Sequence, residues 1–328
     1  LAGYSPDATF YLYPSLLATS LIPISRLSIH QAAVIWNTFN LFLLIAIVWL
    51  FTQTYDLRNL LGLHYPWFVL LFFLAAPTTI ALRIGQANIA TLFFVALCLW
   101  ADRHGAVKLT GFALAVATLL KVFPVVLLIW FLWHKKYRTI LWFLAAIAVL
   151  ITVNALFLAL TERYSLVDWY YLTHILPNLQ PPSQHDNHAL SGFLYRFGIN
   201  NPFMHLFSTG LIILLSGLSF LKATKTKQEE LAYAILLCMA LLITSLTWTS
   251  TLIFLSIPII VLLVVAKENG RFAYGLLVIG FSYACINSTR LLFNVGIPVA
   301  NSKIILSLPF FGIIIAWSVL LYYAKGKR

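Results

Sequence analysis

The apolar positions of this chain come in unbroken runs, with neither strand-like alternation nor a polar face every third or fourth residue. Runs of about 15–25 apolar residues suit membrane helices, and their continuity argues against barrel strands, which alternate. The clear runs lie at about 30–55, 139–160, 203–221, 231–247, 251–266, 272–292 and 304–323. Residues 1–14 are polar and aromatic. Residues 15–29 form a short apolar segment broken by Pro23 and Arg26, suited to a helix that lies at the interface or re-enters. Residues 66–77 and 89–101 are apolar but short for a span, and the polar insert TTIALRIGQAN (78–88) separates them. The stretch LTGFALAVATLLKVFPVVLLIWFLW (109–133) is long enough to cross a bilayer, yet carries Lys121 near its middle and Pro124 three residues on. A lysine at the centre of a membrane helix costs about 2.5–3.5 kcal/mol on insertion scales. This stretch is therefore either one span with an expensive defect or two short helices meeting at a functional tip. Residues 161–202 form the largest soluble loop.

The basic loops discriminate between these two readings. HKKYR (134–138), KATKTK (222–227), KENGR (267–271) and KGKR (325–328) are predicted to be cytoplasmic by the bias of lysine and arginine toward that side. Counting back from HKKYR, a single span at 109–133 would put Arg103 and Lys108 on the wrong side. A helical hairpin puts both basic flanks inside and makes Lys121–Pro124 an outward tip. The same reasoning makes 66–101 a hairpin with its tip at 78–88, carrying Arg83, Gln86 and Asn88, and makes 161–202 an external loop. Irregular backbone at membrane depth is tolerated where it lines a watery cavity. An external vestibule follows, walled by the two tips, the N-terminal segment and the 161–202 loop.

Composition agrees. The chain has 328 residues, 62% hydrophobic and 9% charged, against the roughly 25% charged expected of a soluble domain. It is predicted to be all-α, a polytopic membrane helical bundle of about eleven transmembrane or re-entrant helices in a single integral membrane domain, 1–328. The net charge of +12 is read as loop lysine and arginine, not as a nucleic-acid surface. Cys98, Cys238 and Cys285 lie inside apolar runs, without metal spacing or a disulfide framework. The chain begins at Leu1, and a piece of the N-terminus, including a first transmembrane helix, is expected to lie upstream.

Arg83 and Lys121 are two cations at membrane depth, and with Gln86 and Asn88 they suit an anionic head group, for which a phosphate is the natural ligand. Pairing with an acid or snorkelling is the bland alternative, and the chain holds only 9 acids. The 161–202 loop carries Asp168, His174, His185, Asp186, Asn187, His188 and Arg196. HDNH (185–188) offers a possible acid–base pair in Asp186 and His188; no CxxC or HExxH spacing supports a metal. No Gly-rich phosphate loop, Walker motif or GxSxG occurs. Trp248, among Thr247, Thr249, Ser250 and Thr251, is either an interfacial anchor or a wall on which a sugar ring stacks.

LYPSLLATSLIP, WNTFNLFLL, LRIGQANIATLFFVAL, LTGFALAVATLLKVFPVVLL and NHALSGFLYRF, in that order, resemble the bacterial glycosyltransferase family 87. The resemblance implies the GT-C membrane fold and a transfer of one sugar from a polyprenyl-phosphate-linked donor to a lipid or glycan acceptor on the outer face of the cytoplasmic membrane, with no cofactor and no metal. The mannosyltransferases of actinobacterial lipid glycan synthesis are its familiar members. It implies that Lys121 and Arg83 hold the donor phosphate beside Gln86 and Asn88. Tyr13 and Pro14 match the start of the family's YPP, Asn187 and His188 its polar pair before a Ser/Gly turn, and Tyr13, Asn187, Arg196 and Trp248 are the expected substrate-lining residues. Two departures stand out. The family's catalytic carboxylate lies about thirty residues before YPP, which falls upstream of Leu1 and leaves Asp186 and His188 as the candidates within the chain. The family's S-x-x-W-x-H-H has Ser245, Trp248, Ser250 and Thr251 here, without the histidines. A transporter or flippase of lipid-linked saccharide, and an idle homologue that scaffolds glycan assembly, are the competing functions.

Overall fold

A computed structural model describes residues 15–160, 187–226, 228–294 and 302–324, and every regular element among them is helical. Fifteen α-helices are described: α1 (Ser15–Ser20), α2 (Ile29–Tyr55), α3 (Leu57–Leu61), α4 (Tyr65–Leu74), α5 (Ala76–Arg83), α6 (Asn88–Arg103), α7 (Val107–Leu120), α8 (Leu127–Trp133), α9 (Tyr137–Leu160), α10 (Leu190–Arg196), α11 (Pro202–Lys225), α12 (Glu229–Ile243), α13 (Ser256–Glu268), α14 (Phe272–Asn294) and α15 (Lys303–Tyr323). Among the described residues, six helical stretches are long and apolar enough to cross a membrane: Ile29–Tyr55, Leu57–Leu74, Tyr137–Phe157, Pro202–Lys225, Thr249–Glu268 and Lys303–Tyr323. The chain is a multi-pass membrane protein and, as the apolar runs predict, a polytopic helical bundle.

Polar contacts at the loops fix the direction of each pass. Lys136 Nζ lies 2.8 Å from Asp102 Oδ2, which places the 102–108 and 134–138 flanks at the same end. Arg103 joins that end to α2 and α12 by bonding the Thr54 carbonyl and Glu230. Lys267 reaches the Asn59 and Leu60 carbonyls at 2.8 and 3.2 Å, and Arg271 reaches Tyr322 Oη at 2.7 Å. All five described acids, Asp56, Asp102, Glu229, Glu230 and Glu268, sit at this basic end. Residues 107–133 therefore do not cross once. They turn back at Lys121, where α7 stops in an extended residue (φ −155°, ψ 126°). Proline at 124 then suits the opening of the short 3₁₀ turn Phe123–Val126, because its missing N–H needs no partner there. α7 spans about 21 Å at 1.5 Å per residue, shorter than a ~30 Å hydrocarbon core.

Residues 66–101 also form a hairpin, but its tip is smaller than the polar insert suggested. Residues 76–83 are helical, α5, and bury Ala76, Pro77, Thr78 and Ala81. The chain bends first at Ala75 (φ −55°, ψ 140°), between α4 and α5, and again at 84–87 before α6. A third hairpin joins α12 to α13. Its return limb opens with the 3₁₀ helix Thr249–Leu255. Every residue from Leu231 to Leu242 of α12 is buried, as a helix at the centre of a bundle must be. The longer α2, α9 and α11 lie outside it. Their exposed Phe42, Trp49, Val153, Phe207 and Leu214 form an apolar surface suited to lipid.

Candidate functional site

The tips of the three hairpins meet at the end of the bundle opposite the basic loops. Each tip is polar backbone brought into an apolar interior, so each must find hydrogen bonds there. In the first, Gly85 turns the chain with φ +66°, and the Trp36 indole N–H donates to its carbonyl at 2.9 Å. This positions Gln86 and Asn88, exposed 8% and 0%. Asn88 Nδ2 donates to Gln86 Oε1 at 2.7 Å, which leaves the Asn88 carbonyl oxygen facing the second tip. There Lys121 Nζ donates to Asn88 Oδ1 at 2.7 Å and to Thr251 Oγ1 at 2.8 Å.

The third tip supplies three consecutive hydroxyls. Thr249 Oγ1 meets His188 Nε2 at 2.8 Å, Ser250 Oγ donates to Gln86 Oε1 at 2.5 Å, and Thr251 Oγ1 accepts from Lys121. Sequence reasoning placed these residues beside Trp248 but gave them no partners. Their signal was present: hydroxyl side chains concentrated in a short turn between two apolar runs. Trp248 itself is half-buried on the same turn.

The segment NHALSG is fastened to this turn. Asn187 Oδ1 accepts from the Thr247 and Ala189 amides at 3.1 Å each, and Asn187 Nδ2 donates to the Ser245 carbonyl at 3.0 Å. The His188 amide donates to the Thr247 carbonyl at 2.7 Å. Gly192 is required because a Cβ there would fall 2.3 Å from the Asn187 carbonyl oxygen. Arg196 is almost wholly buried, donating from Nη1 to the Asn187 carbonyl at 2.6 Å and from Nε to Ser307 Oγ at 3.1 Å. It ties the segment to α15.

The structure thus brings Lys121, Gln86, Asn88, Asn187 and His188 into one connected region, with Trp248 on its turn. It does not bring in Arg83. That residue ends α5 with an exposed side chain and has no hydrogen bond or ion pair among the described residues. Tyr13 and Asp186 lie outside the described residues, as do Asp168, His174 and His185.

Electrostatically the site is one-sided. Lys121 is half-buried, and its two hydrogen-bonding partners are neutral oxygens. An ammonium has three N–H donors, so one donor and the full charge are left over among the described residues. The ion pairs among the described residues, Arg103–Glu230 and Lys136–Asp102, are both at the far end. The remaining acids of the sequence, Asp7, Glu162, Asp168 and Asp186, lie outside the described residues. The arrangement can hold an anion, with Lys121 supplying charge and the amides of Gln86 and Asn88 fixing where that charge sits. Among the described residues no group of three His, Cys, Asp or Glu side chains converges as a metal site would require.

The profile described as Glycosyltransferase family 87 matches residues 11–249. That range contains the first two tips and the NHALSG segment, and ends at Thr249, the first of the three hydroxyl residues of the third tip. No curated protein matches the chain.

Proposed function

The chain belongs to glycosyltransferase family 87 and is a membrane glycosyltransferase, and on that premise we propose that it transfers a mannose-like hexose from a polyprenyl-phosphate-linked donor to a lipid or glycan acceptor, on the external face of the bacterial cytoplasmic membrane. The observation that carries this reading is the Lys121 ammonium, held by Asn88 and Thr251 without a carboxylate among the described residues. Its bonds are short and fixed before any ligand arrives, as electrostatic preorganisation requires. A lipid-linked phosphate can enter from the bilayer with its chain still in lipid and its head at the tips. GT-C architecture suits such a donor.

In the proposed reaction the acceptor oxygen bonds to the anomeric carbon as that carbon's bond to the phosphate oxygen breaks. The bonding pair leaves on the phosphate, where Lys121 meets the growing charge. The acceptor proton passes to a carboxylate. Asp186 is the candidate within the chain, since it directly precedes Asn187, whose position is fixed by four hydrogen bonds. His188 is fully buried and bonded to Thr249, which suits a positioning residue more than a base. The resemblance expects histidines at the positions of Ser250 and Thr251. These are the residues whose hydroxyls hold Gln86 and Lys121 here. Arg83, at the rim of the first tip, is assigned to the approaching phosphate and Trp248 to the sugar face.

Membranes containing the full protein, supplied with a radiolabelled polyprenyl-phosphate sugar, test the reading. Labelled lipid or glycan product that disappears with Lys121→Ala supports it. Movement of the label across the bilayer without a new glycosidic bond makes the protein a flippase. Neither product nor binding leaves the scaffold role.

A further inference from the structure

At the basic end, away from the tips, α7 and α9 run parallel and touch at Gly111. A Cβ there would lie 2.7 Å from the Phe143 amide nitrogen, the Thr139 carbonyl oxygen and Trp142 Cβ. This close crossing leaves two hollows. One, of about 450 Å³, is an apolar groove facing outward between the helices, walled by Leu109, Phe112, Trp142 and Leu150, with small Ala145 and Ala146 between them. The other, of about 470 Å³, lies at the helix starts and is lined by Asp102, Lys135, Lys136, Arg138 and the hydroxyl-bearing Thr110 and Thr139. Lys108, which also lines the apolar groove, stands over the Trp142 ring at 5.1 Å.

The cations here exceed their partners. Asp102 is occupied by Lys136, which binds both its oxygens at 2.8 Å and also covers Trp130 at 4.2 Å. Lys108, Lys135 and Arg138 are exposed, and their side chains make no hydrogen bond or ion pair among the described residues. Lys135 is held in the left-handed region at φ +54°, so the loop does not simply trail into solvent. Its amide and that of Lys136 close the end of α8 on the Leu132 and Phe131 carbonyls at 3.1 and 2.9 Å. Lys135 and Arg138 line the hollow at the helix starts and Lys108 lines the apolar groove, while Arg138 of the first and Trp142 of the second are one turn apart on α9.

We propose that this is a binding site for one anionic phospholipid of the leaflet that meets the basic end. Its phosphate is held by Lys108, Lys135 and Arg138, and one acyl chain lies in the α7–α9 groove against Trp142. Charge complementarity identifies the occupant. A neutral lipid would leave three neighbouring cations uncompensated, and a soluble anion would leave the groove unused. Basic pockets between membrane helices hold anionic head groups by the same physics. α7 carries Lys121 at its far end, so the lipid would brace the helix that presents the lysine.

The test is native mass spectrometry of the full chain in neutral detergent, titrated with phosphatidylglycerol and with phosphatidylcholine of identical chains. The expected result is retention of phosphatidylglycerol in preference to phosphatidylcholine, weakened about 100-fold in the exposed-residue variant K108Q/K135Q/R138Q, at about a fivefold loss per cation. Ala146→Trp fills the groove and is expected to weaken phosphatidylglycerol while leaving glycerol 3-phosphate binding unchanged. Equal retention of the two lipids, or no change in the triple variant, overturns the proposal. Competition by glycerol 3-phosphate at the same concentration as the intact lipid also overturns it, because the depression would then bind a free phosphate ester. If Ala146→Trp fails to fold, the triple variant alone still decides the matter.

Discussion

Replacing Lys121 by methionine separates holding the fold from holding a ligand. Methionine keeps the length and removes the charge. The folded state then loses two hydrogen bonds from a charged donor, to Asn88 Oδ1 and Thr251 Oγ1, each contributing about 1.5–3 kcal/mol. Against this, an ammonium at membrane depth costs about 2.5–3.5 kcal/mol that methionine does not. The two effects partly offset, so stability is expected to fall by at most about 3.5 kcal/mol. Catalysis has no such compensation. Removing one preorganised stabiliser of developing charge typically lowers kcat by about 10²–10³, or about 2.7–4 kcal/mol. The assay is initial-rate transfer from a polyprenyl-phosphate sugar, normalised to the monodisperse protein peak, with melting in detergent measured alongside. A variant within about threefold of wild type would refute the phosphate assignment. So would one whose lost activity is fully explained by its unfolded fraction, since Lys121 would then be structural.

Other outcomes follow from close contacts and from topology. Gly192→Ala forces a methyl group to within 2.3 Å of the Asn187 carbonyl. It is expected to cost about 1–3 kcal/mol or more, seen as a lowered melting temperature together with lost activity. Gly111→Ala, at a 2.7 Å approach, is expected to separate α7 from α9 at a similar cost of about 1–3 kcal/mol; unchanged melting would mean that the helices cross more loosely. Ser250→Ala removes one donor to Gln86 Oε1 and is expected to destabilise by about 1 kcal/mol, checked by the same melting measurement. In intact cells on a background without accessible cysteine, Ser245→Cys is expected to react with a membrane-impermeant maleimide and Lys135→Cys only after permeabilisation. Labelling in the reverse pattern would invert the proposed orientation.

Much of the architecture was legible because bilayer thickness leaves little freedom. The long runs at 30–55, 139–160 and 304–323 became α2, α9 and α15 within a few residues. The reversal at Lys121 was legible from charge alone, since Arg103, Lys108 and HKKYR had to share one end, and the Asp102–Lys136 pair shows that they do. The 78–88 insert was harder. Polarity marked it as a tip, but half of that polarity belongs to α5, whose Thr78 is buried against neighbouring helices. Arg83 was grouped with Lys121 as a second cation at membrane depth, because nothing local tells an exposed helix end from a residue held among the tips. The role of Thr249, Ser250 and Thr251 depends on partners between about 60 and 165 positions away, and neither periodicity nor propensity records such distances.

A 3₁₀ helix has about three residues per turn, so three consecutive side chains on Thr249–Leu255 leave its axis about 120° apart. Thr249, Ser250 and Thr251 therefore radiate like spokes, one to His188, one to Gln86 and one to Lys121. An α-helix, at about 100° per residue, would spread the same three hydroxyls less evenly, over about 200° of the circumference. Inserting or deleting a single residue ahead of Thr249 would turn every spoke to its neighbour's address at once. The three hairpins are thus indexed to one another by rotation about a single short axle. Whatever draws on Lys121 pulls on the first hairpin and the NHALSG segment through the same hub.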